Sequence, residues 1–174
     1  MDFFELIDAR RSIRAFKPQP VEEDKLTRIL QAANRAPSAG NLQAYTIVIV
    51  RDEAMRRELS RASLNQDSLV QAPVVLAFFA QGHLSAAQYK SRGTELYSLQ
   101  DATVACAYAQ FAATAQGLGT VWVGAFEDEP VRRILKAQPD WRPVALLPIG
   151  YPAEIPPATP RRALKDLVRE ANQL

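Results

Sequence analysis

Gln100–Phe126 reads QDATVACAYAQFAATAQGLGTVWVGAF. Asp101 stands before a run in which Ala102, Ala105, Ala107, Ala109, Ala112, Ala113 and Ala115 recur among Val104, Cys106 and Phe111. This predicts a helix from Asp101, as N-cap, to Gln116, closed by Gly117. Small apolar side chains point almost all round it, so it belongs where other structure covers most of its surface. A chain of 174 residues has the size of one domain. So small a domain does not easily surround a helix, and a subunit interface does so more readily; the expectation is a homodimer. Val121–Val123 follows as a short strand, flanked by Gly119 and Gly124, where backbone lies open to close approach.

Outward from this stretch, elements of both kinds alternate. Asp2 and Glu5 form a capping pattern ahead of Phe3, Leu6 and Ile7, which predicts a helix over 3–9. Leu26, Ile29, Leu30 and Ala33 are spaced as an amphipathic helix over 22–35. Strands are predicted at 46–50, 74–80 and 144–149, a capped helix from Asp52 to about Ala62, and a short one from Asp128. Residues 81–99 show no period and read as an irregular lid or binding loop. Pro156, Pro157 and Pro160 make a stiff connection to a last helix over about 163–171. The fold class is α+β, layered.

Bulk properties narrow the function. A net charge of +2 is too small to argue for nucleic acid, and no apolar run reaches the roughly 20 residues of a membrane span. Residues 1–9 carry Asp2, Glu5 and Asp8 and do not read as a signal peptide, so the expected location is cytoplasmic. Cys106 alone cannot form an internal disulfide, and with His83 as the one histidine no metal site is expected.

The charge that is present is concentrated. Arg10, Arg11, Ser12 and Arg14 lie together in RRSIRAF, where the chain leaves its first helix. Arginine is the planar donor suited to bidentate phosphate contacts. Arg161 and Arg162 follow the proline-rich arm, and two arginine pairs aimed at one phosphate suit its nearly two charges. In Pro37–Gln43, Ser38, Asn41 and Gln43 offer both donors and acceptors, as a pyrimidine-like edge requires. Near Gly124 or Ala125, a backbone N–H could face a flat ring. No dinucleotide fingerprint or P-loop appears.

In these segments the chain resembles the FMN-dependent nitroreductase family. RRSIRAF, PSAGNLQ, the 100–126 stretch, and LLPIGYP followed by PRR occur in the family's order over nearly the whole chain. The resemblance implies an α/β/α layered fold with a mixed, mostly antiparallel sheet. It implies one flavin-binding domain over 1–174, whose arm from about 152 to 174 wraps the partner of an intertwined homodimer. Two FMN sites would lie at the interface. Arg10, Arg11 and Ser12 match phosphate and ribityl contacts, and Arg14 a basic residue near the pyrimidine that stabilises reduced flavin. Pro37, Ser38, Asn41 and Gln43 match the loop that closes over the flavin, largely from the other subunit. Asn65 matches a flavin-contacting amide. Val123, Gly124 and Ala125 match the backbone at the ring's reactive nitrogen, and Arg161, with Arg162 beside it, the C-terminal phosphate contact. Ser68 and Thr159 stand where some members have lysine. No side-chain nucleophile is implied.

The implied reaction is ping-pong: NADH or NADPH reduces the flavin, leaves, and a nitroaromatic, quinone or similar conjugated acceptor takes its place. Tyr89, Arg92, Tyr97 and Phe126 are candidate pocket residues. Reductive dehalogenation and flavin conversion on the same fold are alternatives, and a non-enzymatic anion or nucleic-acid binder is a distant one.

Overall fold

The computed structural model describes residues 1–171. Four strands form one sheet in the order β1-β2-β4-β3: β1 (Tyr45–Val50), β2 (Val74–Gln81), β3 (Gly119–Thr120) and β4 (Trp141–Gly150). Every pairing between these strands is antiparallel, with Ile47 opposite Phe78 and Leu76 opposite Leu147. A bulge between Phe78 and Phe79 shifts the β2–β4 register. The period of two sorts β2 between two cores. Val74, Leu76 and Phe78 face α2 (Glu23–Asn34) and α6 (Ser98–Ala115), joining Ile29, Ala33, Ala105, Cys106 and Ala109. Val75, Ala77 and Phe79 face α3 (Glu53–Ala62), α4 (Ser68–Gln71) and α7 (Asp128–Ile134), joining Leu59, Leu69 and Val131. The sheet thus lies between two helical layers. No helix among the described residues is long and apolar enough to cross a membrane.

The capping box at α1 (Phe3–Ala9) forms as expected, and Asp52 caps α3 by accepting from the Met55 N–H. Other elements differ. Residues 81–99 are helical: α5 (Gly82–Arg92), broken at Lys90, runs into a π-helical turn (Gly93–Tyr97) and on into α6. Asp101 is therefore inside α6 and caps nothing. The strand expected at 121–123 is displaced to Gly119–Thr120, and Val123 makes only one bridge, to Leu146. Among the described residues, the 3-10 turn Leu164–Asp166 stands in place of the helix expected over 163–171. Of the expected arm, 172–174 lie outside the described residues.

Within one chain α6 is buried on one face. Ala102, Ala105, Cys106, Ala109 and Ala113 are covered, while Thr103, Tyr108 and Ala115 are exposed and Val104, Ala107 and Phe111 half-buried.

Candidate functional site

The sequence leaves α1 at Arg10, whose backbone is extended, and from there some side chains turn into the core and others away from it. Ile13 and Phe16 are buried; Arg14 is exposed, and Arg10 and Ser12 are half-buried. Ser12 bridges Thr120 in parallel, and the Ile13 N–H donates to the Thr120 carbonyl at 2.9 Å. This close seating uses Gly119: a Cβ there would lie 2.7 Å from Ile13 Cγ1. On the other side the chain leaving β4 runs beside 15–17. The Lys17 N–H donates to Tyr151 O and the Ala153 N–H to Ala15 O, each at 2.9 Å.

Two walls result. Ile7, Asp8, Arg10, Arg11, Ser12 and Arg14 form one, Pro156–Thr159 and Arg161 the other, around a cavity of about 360 Å³. The arginines predicted to converge from opposite ends of the sequence do so, except Arg162, which donates to the Asp166 carbonyl. Thr159 lines the cavity where a lysine was in question. Burial, then Arg161, then Arg11 hold the Arg10 guanidinium below its ordinary pKa. Asp8 lines the cavity, yet among the described residues no carboxylate forms an ion pair with Arg10, Arg11, Arg14 or Arg161. Like charges crowded without a counter-ion favour a bound anion. The donor set fits a phosphate end.

Arg14 also lines an adjoining cleft with Gln66, Asp67, Ser68, Gln71 and Glu154. Gln66 donates from Nε2 to the Ala125 carbonyl at 3.4 Å, joining this cleft to the backbone after Gly124. Gly124 and Ala125 are exposed; Val123 is buried and exchanges both backbone hydrogen bonds with Leu146. Asn65 has a left-handed backbone (φ 57°), and its N–H donates to Ser60 O at 2.8 Å. It does not line the cleft.

The 37–43 loop is built separately, and none of its residues lines the arginine cavity. Ser38 Oγ accepts from the Gln43 N–H at 3.0 Å, and Gln43 Nε2 donates to Asn41 Oδ1 at 2.6 Å. Gly40 and Asn41 (both φ 57°) and Gln43 (φ 44°) are left-handed. Asp101, 3% exposed, holds the loop at both ends, accepting from the Ala39 N–H at 2.9 Å and the Ala44 N–H at 3.2 Å. Tyr89 lies over the loop: a Cβ on Gly40 would lie 2.6 Å from its hydroxyl. Its ring meets Tyr97 edge-on at 5.0 Å, and Arg92 Nε donates to the Tyr97 hydroxyl at 2.9 Å. Phe126 is half-buried against the α3–α7 core. Burial raises the Cys106 thiol well above its ordinary pKa, as for a core residue. No metal-holding cluster occurs among the described residues.

Sequence reasoning missed Gln66 and Glu154 and misread Asp101. An Asp ahead of alanines looks like a cap, and nothing in its spacing announces partners some sixty residues earlier.

Comparison with known proteins decides the family. The model of the nitroreductase family matches residues 7–66 and 59–151. The chain belongs to the nitroreductase family. It is 37% identical over 172 residues to a Thermus thermophilus protein named NADH dehydrogenase, covering 83% of this chain and 84% of that one. It is 33% identical over 164 residues to a Bacillus subtilis FMN reductase [NAD(P)H], covering 87% of this chain and 66% of that one. In fold it is similar to the NfrA1 nitroreductase of B. subtilis, with a TM-score of 0.90 and 27% identity over 98% of this chain and 74% of that one. As in these nitroreductase-family folds, helices flank an antiparallel sheet.

Proposed function

We propose that this chain is an FMN-dependent oxidoreductase that takes electrons from NADH or NADPH and passes them to a conjugated acceptor such as a nitroaromatic or a quinone. The observation that carries the reading is the cavity in which Arg10, Arg11, Arg14 and Arg161 meet with no paired carboxylate among the described residues. The names of the Thermus and Bacillus relatives support a nicotinamide donor and a flavin.

Arg10, Arg11, Ser12 and Arg161 would bind the phosphate and ribityl end. Arg14, shared between the cavity and its neighbouring cleft, would face the pyrimidine end, where its fixed positive charge favours an anion. The backbone of Gly124 and Ala125, with Gln66 ordering the Ala125 carbonyl, would face the ring. Bound FMN supplies hydride acceptance and donation; the protein orients it and shapes the charge around it. Ser38, Asn41 and Gln43 are expected to close the site from a second copy, since none of them lines the arginine cavity of their own chain. Tyr89 sits over that loop, with Tyr97 against its ring and Arg92 bonded to Tyr97, and the three would border the acceptor's place. The working unit is a homodimer.

The test is the visible spectrum after mild reconstitution with FMN. Retained flavin bands that bleach anaerobically on adding NADH or NADPH are the expected result and identify the donor. A protein that neither retains FMN nor bleaches it overturns the reading.

A further inference from the structure

Among the described residues, Ala153 makes the last backbone hydrogen bond between the C-terminal arm and the body of the chain, to Ala15 O. The wall made by Pro156–Thr159 and Arg161 comes after it. One side-chain attachment lies between them. Glu154 Oε1 accepts from the Arg14 N–H at 2.8 Å and from the Ala15 N–H at 3.2 Å. Both donors belong to the segment whose side chains form the opposite wall. The carboxylate therefore joins the two walls directly, just before Pro156 and Pro157. Those prolines fix their own φ and make the following chain stiff, so a position set at Glu154 is carried toward Arg161. Hydrogen bonds to an ionised acceptor are the stronger kind, which suits a single attachment for an otherwise exposed arm.

We propose that Glu154 is a positioning residue for the anion cavity: by holding the backbone of Arg14 and Ala15 against the arm, it sets the spacing between the Arg10 and Arg161 walls and so the preference for a phosphorylated over an unphosphorylated flavin. The proposal rests on the flavin reading above. Glu154 itself touches no phosphate. It lines the cleft that shares Arg14 and does not line the arginine cavity, and its negative charge alone would disfavour an anion. A spacing role makes removal of Glu154 weaken phosphate binding; a purely electrostatic role makes removal strengthen it.

The experiment is titration calorimetry of the full chain with FMN and with riboflavin, which lacks the phosphate. It is run on the parent and on Glu154→Ala, Glu154→Asp and Glu154→Gln. Glutamine keeps an oxygen at the same reach, aspartate withdraws it by one methylene, and alanine removes it. The parent should bind FMN well above riboflavin. Losing the clamp should cut FMN affinity about tenfold in Glu154→Ala and Glu154→Asp, the scale of one charge-assisted hydrogen bond. Riboflavin affinity should move less than about twofold, and Glu154→Gln should keep the parent's ratio within about threefold. Equal weakening of both flavins, tighter FMN binding on removal of Glu154, or Glu154→Gln behaving like Glu154→Ala overturns the inference. If Glu154→Ala does not fold, aspartate against glutamine decides by the same ratio. A parent that binds both flavins equally overturns the inference, and a parent that binds neither overturns the flavin reading itself, whatever the variants do.

Discussion

Arg10 shows how a site can be stabilising for a ligand and unfavourable for the empty protein. Burial and the positive Arg161 and Arg11 all act against its charge. Removing it relieves that repulsion and, on the proposed reading, would also remove a phosphate donor. Arg10→Ala and Arg161→Ala are each expected to weaken FMN binding by about 10- to 100-fold, the range of charge-assisted hydrogen bonds. The ligand-free protein should melt no lower than the parent. Titration and calorimetric melting check the two halves, and a fall in both would make the arginines structural. The arginines were legible because type and clustering are written in the sequence. Asp101 was not, because its meaning is tertiary. It is buried inside α6, and its two partners, the Ala39 and Ala44 N–H groups, bracket a loop with three left-handed residues. Asp101→Ala leaves both donors without their acceptor and should cost about 2–3 kcal/mol in urea unfolding. Proteolysis within 37–43 should rise with it.

At the scale of elements, legibility followed periodicity. The strands β2 and β4 and the helices α2 and α3 have strong patterns and appear within a few residues of their expected bounds. Alanine and polar residues give α5 no apolar stripe, and its break at Lys90 and the π turn after it come from packing: a Cβ at Gly93 would lie 2.4 Å from Ser85 O. Contacts between elements were equally hidden. Tyr151, just past β4, donates its hydroxyl to Glu22 at 2.8 Å and accepts from Lys25 Nζ at 2.8 Å, while Lys25 also reaches Gln116 O at 3.3 Å. This clasp fastens α2 to the end of α6 and to the root of the arm. The Tyr151 hydroxyl is the main cause that lowers the Glu22 pKa and the main cause that raises that of Lys25. The Glu22 contribution is present above the ordinary carboxylate range and lost as pH falls through its lowered value. The Lys25 contribution is present below the ordinary lysine range and lost as pH rises through its raised value. The stability difference between the parent and Tyr151→Phe should therefore be level near neutrality and shrink toward both extremes. Urea unfolding at acidic, neutral and alkaline pH measures it, and a difference independent of pH would remove the clasp from the account.

The whole molecule carries apolar surface that one copy does not use. Phe3, Phe4 and Ile7 are 62%, 75% and 42% exposed on a helix that buries none of its residues. A helix this short does not hold its form in water without tertiary cover. Ile155, Leu164, Leu167 and Val168 are 89%, 76%, 56% and 62% exposed along the arm. The outer face of α6 adds Tyr108, 41% exposed, and half-buried Phe111. Three separate apolar surfaces on one chain point to a partner, and the alanine-rich composition of α6 had already suggested one. The sequence could suggest cover for α6 but not for α1 or the arm, because exposure is a property of the folded chain. A second copy can cover all three, and it would also bring a 37–43 loop to an arginine cavity that none of its own chain's loop residues line. Association and flavin binding would then be one equilibrium, since whatever binds only the assembled state stabilises it. Light scattering should give twice the chain mass of 19.3 kDa. Charge placed in two of the surfaces, as Phe4→Glu with Leu167→Glu, should yield a monomer that loses FMN although Arg10, Arg11, Arg14 and Arg161 are intact. Added FMN should shift the single variants back toward the dimer. A parent that is monomeric and still retains FMN would separate the two, and would require the 37–43 loop to act within its own chain or not at all.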